Sequence, residues 1–90
     1  MITKSLKPYL YEIDTIIDEI KFGNTIVDRM NNWDQFEYTT LKLKCRDCTI
    51  MVFREDFEHF KNIVPNEKIK VLAKIWKNRV YHFKKLLSEN

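Results

Sequence analysis

Two cysteines, Cys45 and Cys48, stand at the spacing at which a pair of thiolates can chelate one ion or form a redox couple. A zinc site needs further ligands, and His59 and His82 lie 11 and 34 residues beyond Cys48, outside any usual arrangement. A thioredoxin-like couple needs a helix that starts after a βα turn, and no such turn is read here. The pair therefore reads as two ordinary cysteines beside a turn, one of them facing the core. The adjacent carboxylates Asp18-Glu19 and Glu55-Asp56 read as solvated helix positions, since acids in a first turn are favoured by the helix dipole. No nucleophile elbow, P-loop or zinc-protease motif occurs. No enzyme, metal site or cofactor is expected.

The remaining chemistry lies in charge and aromatic rings. Residues 1 to 40 carry four Lys/Arg against seven Asp/Glu, whereas residues 41 to 90 carry twelve against six, although the net charge is only +3. Between residues 68 and 85 stand Lys68, Lys70, Lys74, Lys77, Arg79, Lys84 and Lys85 with no acid among them. Such a block is either a solvated face or a phosphate-contact surface. Six Phe, four Tyr and two Trp in 90 residues supply rings for a core, for a partner, or for both. A chain of this length buries about 60% of its unfolded surface, so a shallow groove is expected rather than a deep cavity. No apolar run approaches a spanning helix, so no membrane partner is expected. The acids Glu12, Asp14, Asp18 and Glu19 interrupt the N-terminal apolar residues, and the two cysteines fit a reducing compartment. A cytoplasmic protein is the resulting expectation.

The elements that must position these residues follow from periodicity. Over residues 5 to 22, Tyr9, Leu10, Ile13, Ile16, Ile17 and Ile20 recur at helical spacing, with Ser5 and Pro8 at one end and Gly23-Asn24 at the other. An amphipathic helix is predicted, filling an N-terminal segment 1–24 that packs on the rest of the domain or on another subunit. Tyr9 and Phe22 are assigned to its seam. Beyond it, residues 25–90 read as the main body. Thr25-Ile26-Val27 is β-branched, residues 36 to 45 alternate with Leu41, Leu43 and Cys45 on one side, and Arg46-Asp47 turns into a strand ending at Phe53. Phe57, Phe60, Ile63 and Val64 predict a short helix over residues 55 to 64, with Phe53 also placed in the core. Residues 67 to 88 fit a hairpin and a helix about equally well by periodicity.

The order strand, strand, tight turn, strand, short helix, strand, turn, strand favours the hairpin, and it resembles the oligonucleotide/oligosaccharide-binding (OB) fold. The fold class is then mostly β with two helices: a five-stranded Greek-key barrel preceded by the N-terminal helix. The segments YTTLKLKCRDCTIMVFREDFEHF and KIKVLAKIWKNRVYHFKKLL carry the likeness, which is narrower to the nucleic-acid-binding barrels of bacterial DNA polymerase III alpha and of the exonuclease VII large subunit. Where those barrels carry glycines, this chain has Asp47 and Lys74. The resemblance implies single-stranded DNA or RNA as the partner, laid across the second and third barrel strands and clamped by the first and last hairpin loops. It makes Trp33, Tyr38 and Trp76 stacking residues, with Lys42, Lys44, Lys70, Lys74, Lys77 and Arg79 on the phosphates. Each tryptophan reads equally as a core plug.

Two functions stand open at this level. One is a non-enzymatic single-stranded nucleic-acid-binding module, an accessory in DNA replication and repair or in RNA processing. The other is a protein-interaction adaptor or inhibitor of the phage or mobile-element type, which uses Ile13, Ile17 and Ile20 of the N-terminal helix for a homo-oligomer or partner contact.

Overall fold

A computed structural model of the chain describes residues 1–28 and 35–87, and the side chains of 1–23 and 39–87. The elements are β1 (Ile2–Lys4), β2 (Leu10–Asp28), β3 (Gln35–Cys45), β4 (Thr49–Phe53), a 3-10 helix (Arg54–Phe60), β5 (Lys68–Lys77) and β6 (Val80–Leu86). The sheet runs β1-β2-β3-β4-β6-β5, and β5 pairs back onto β2. Five strands thus close into a barrel, and β1 lies outside it as an added strand on β2. Every contact is antiparallel except β4 with β6, which is parallel.

The predicted N-terminal helix is absent: residues 10 to 28 form one 19-residue strand. The physical reason is a β-bulge. Tyr11, Ile13, Thr15 and Ile17 alternate inward, and Ile13 and Ile17 are completely buried. Ile17 pairs with Cys45 and Glu19 with Lys44, which leaves Asp18 as an extra residue and reverses the alternation. Ile20 therefore packs inward as well. The spacings four and three that imitate a helix are those of a strand carrying one extra residue. The β-branched content of Ile13, Thr15, Ile16, Ile17 and Ile20 agrees with the strand. Gly23, expected to stop the helix, pairs with Thr40 in mid-strand, and its carbonyl accepts the buried Thr40 hydroxyl at 3.3 Å. Tyr9 and Phe22, expected in a helix seam, are 68% and 71% exposed.

The other predicted helix is shorter and tighter than expected, a 3-10 turn over Arg54–Phe60 rather than a helix to residue 64. Phe57 and Phe60, three apart, fall on one side of such a turn. Phe60 is buried and meets Phe83 edge-on at 4.9 Å, sealing one end of the barrel. Ile63 and Phe57 pack against the same core. Asn66, at φ 72°, then reverses the chain so that its N–H reaches the Ile17 carbonyl and β5 can start beside β2.

Residues 68 to 86 form the hairpin. Ile69, Val71 and Ala73 are buried and Ile75 packs on the core, while Lys68, Lys70, Lys74 and Trp76 point outward, as period 2 requires. The interior is completed by Leu41, Leu43, Ile50, Val52, Cys48, Tyr81 and Phe83. Ile50 and Val52 face inward, so Met51 and Phe53 face outward; Phe53 is not the core residue its type suggested. Among the described residues no helix is long and apolar enough to cross a membrane.

Candidate functional site

Strand pairing arranges the outer surface of β3, β4, β6 and β5 in two transverse rows. One runs Lys42, Met51, His82, Lys74; the next runs Lys44, Thr49, Val80, Lys77. Paired residues share a face of the sheet, so each row begins and ends with a lysine and has an uncharged centre. The two lysine rails are three strand spacings apart, or about 14 Å if the sheet were flat. Between them lies an open groove of about 460 Å³ lined by Lys42, Lys44, Thr49, Met51, Trp76, Lys77 and Val80.

The floor of this groove is unusual for the outside of a barrel. Met51 points away from the interior cluster yet is only 3% exposed, covered by its neighbours on the outer surface. A bulge between Ile75 and Lys77 aims Trp76 over β6, where its ring lies 4.8 Å from that of His82. On its other side His82 meets Phe53 edge-on at 5.1 Å. Trp76 keeps 41% of its surface exposed, and the Lys77 ammonium sits 5.0 Å from its ring centroid. Burial, then the charges of Lys84 and Lys74, holds the His82 imidazole below its ordinary pKa. Lys44 is 3.9 Å from Glu19, a contact between half-exposed side chains that contributes little.

Of the residues singled out in the sequence, Lys42, Lys44, Lys74, Trp76 and Lys77 come together here. Arg79 occupies the exposed β5–β6 turn beside them at φ 59°, and its carbonyl accepts the Thr49 N–H at 2.8 Å. Lys70 does not join the groove: it is on β5 opposite Asp14 of β2, round the side of the barrel. Trp33 and the Tyr38 side chain lie outside the described residues. Sequence reasoning missed Thr49, Met51, Val80, His82 and Phe53. A signal for them existed, because once Ile50, Val52, Tyr81 and Phe83 are assigned inward, alternation sends their neighbours to the outer face.

The motifs with other chemistry stay apart from the groove. Cys45 and Cys48 flank the Arg46-Asp47 turn and are joined by a backbone hydrogen bond of 2.8 Å from the Cys45 N–H to the Cys48 carbonyl. Both are free thiols, Cys48 buried toward the core and Cys45 half-buried. A hydrogen bond with Cys48, burial, and the carboxylates of Asp47 and Asp18 push the Cys45 thiol far up, which makes it a poor nucleophile. Among the described residues no three His, Cys, Asp or Glu side chains converge as a metal site. His59 lies on the 3-10 helix, 4.0 Å from Asp56. Ile13 and Ile17, a possible partner stripe, are inside the barrel where no partner reaches them.

Comparison with protein-family models, with curated proteins and with solved structures returns no match to this chain.

Proposed function

We propose that this chain is a barrel of the OB type that binds single-stranded nucleic acid without catalysing a reaction, as an accessory in DNA replication and repair or in RNA processing. The observation that carries the reading is the pair of lysine-ended rows enclosing an apolar floor with Trp76 at its edge. Rails of ammonium groups suit a phosphate backbone, and an exposed indole suits a base face, the two contacts that sequence-tolerant single-strand binders combine. The topology supports the same conclusion. A closed five-strand barrel with one parallel contact, and with its helix between the third and fourth barrel strands, is compatible with the OB plan and with the barrels of polymerase III alpha and exonuclease VII named above. In that plan ligands cross the second and third barrel strands, here β3 and β4, between the loops β2–β3 and β5–β6.

The adaptor alternative loses the surface first assigned to it, since the N-terminal helix is a barrel strand and Ile13 and Ile17 are buried in the interior. The direct test is a titration of intrinsic tryptophan fluorescence with oligo(dT) at low and high salt. Quenching at low salt, with affinity that falls steeply as salt rises, is the expected result. Absence of any binding at low ionic strength overturns the proposal.

A further inference from the structure

His82 lies between Met51 and Lys74, next to the Trp76 ring and beside the residues that line the groove, and the contacts proposed for the lysines and Trp76 do not use it. Its Nε2 is shut off from solvent and meets no hydrogen-bond partner among the described residues. A buried nitrogen left without a partner is destabilising, so such a position calls for an explanation. The ring is held between Trp76 and Phe53. The charged groups facing it are cations from each side: Lys74 on β5, Lys84 on its own strand, and Lys42 on β3 one position beyond Met51. From β4 it meets Met51 and Phe53, both uncharged.

This setting disfavours an imidazolium in the free protein, through burial first and then through Lys84 and Lys74. A polyanion between the rails removes the second cause, because its phosphates neutralise the lysines. A base that stacks on Trp76 and draws the indole aside also opens Nε2–H to a phosphate oxygen. Both changes favour the protonated ring in the complex. Binding and protonation are then linked, and linkage is reciprocal: if the bound strand raises the affinity of His82 for a proton, the proton raises the affinity of the protein for the strand.

We infer that His82 is a proton-linked contact to the nucleic acid, protonated when a single strand fills the groove, so that acidification tightens binding. The inference rests on the nucleic-acid reading of the same site. Affinity rises as the pH falls through the pKa that His82 has in the complex and levels off below the pKa it has in the free protein. Each unit between those two values is worth a tenfold change in affinity.

The experiment measures binding of labelled oligo(dT) by fluorescence anisotropy at fixed ionic strength, at about pH 7.5 and about pH 5.5, for wild type, His82→Phe and His59→Gln. Wild type and His59→Gln are expected to bind about three- to tenfold more tightly at the lower pH, and His82→Phe to show no such gain. In parallel, proton NMR of the wild-type His82 ring gives its pKa with and without oligo(dT), independently of how well any variant folds; a rise on binding is expected. An unshifted His82 pKa, or a wild-type pH dependence in His82→Phe, overturns the inference and leaves the nucleic-acid reading standing. No binding by wild type at either pH in low salt overturns that reading and the inference with it.

Discussion

Ahead of its bulge, β2 sends Glu12, Asp14 and Ile16 to the outside of the barrel, whereas β3, β4 and β5 send Lys42, Lys44, Met51, Lys74 and Trp76. Both surfaces cover the same interior, and both obey the same alternation. On the β2 side the outward acids find cations nearby: Asp14 stands opposite Lys70, and Asp18 is 3.8 Å from Arg46. On the other side Lys74 and Lys84 both bear on His82, Lys44 meets Glu19 only at 3.9 Å, and an outward methionine is almost completely covered. Like charges gathered on one face repel one another, which disfavours the compact state. The contrast therefore sets the shared interior, which folding requires, apart from the β3-β4-β6-β5 surface, on which the proposed function rests.

The sharpest way to break that contrast is to damage what the two sides share. Ile17 on β2 and Ile50 on β4 are both fully buried, one beneath each surface. Ile17→Ala and Ile50→Ala are each expected to lower stability by about 2–5 kcal/mol in urea unfolding. A large cost on one side only would mean that the barrel is not a single cooperative core.

The next effect falls on binding and on one surface alone. Trp76→Ala is expected to weaken oligo(dT) binding by about 1–3 kcal/mol. Lys42→Gln with Lys74→Gln is expected to reduce the slope of log affinity against log salt by about 0.7 for each phosphate that no longer meets an ammonium group. The matching pair across the barrel, Glu12→Gln with Asp14→Asn, is expected to change the affinity by less than about twofold, because these acids lie outside the groove. Equal effects on the two sides would show binding driven by net charge rather than by the groove.

The same contrast explains what the sequence made legible. Strands β3 and β4 were readable because they alternate without interruption, with Leu41, Leu43, Ile50 and Val52 at even spacing, whereas β5 and β6, whose pairing carries two register shifts, were read as strands from the order of elements. Alternation put Lys42, Lys44, Lys74 and Trp76 on the outer face, and the resemblance to the OB fold singled them out as a site. Strand β2 was misread because Asp18, one extra residue, makes the isoleucine spacing alternately even and odd. A bulge leaves no composition signal, and its effect on a hydrophobic pattern is the one a helix produces. His82 and Met51 were missed for another reason. Both sit between core residues in sequence, and only the parallel β4–β6 pairing, a long-range contact that no local pattern encodes, sets them side by side on the outer surface.

The smallest expected effect concerns the stitch between the two sides. Asp47, in the β3–β4 turn, accepts a 2.7 Å hydrogen bond from the buried Thr15 hydroxyl of β2, and the Met1 amino group lies 3.3 Å away. Burial pushes the Asp47 carboxyl up, but the Thr15 hydroxyl and the amino group outweigh it and hold it below its ordinary value. A carboxyl whose pKa is depressed in the folded state stabilises the fold above its unfolded pKa, and that contribution is lost as the pH falls through the folded one. Asp47→Asn keeps an acceptor for Thr15 and removes only the charge. Its urea midpoint at neutral pH is expected to fall by the equivalent of less than about 1 kcal/mol, since the carboxylate is more than a third exposed. The gap to wild type should close as both are taken to acid pH. A gap that persisted there would assign the stitch to the shape of the hydrogen bond rather than to its charge.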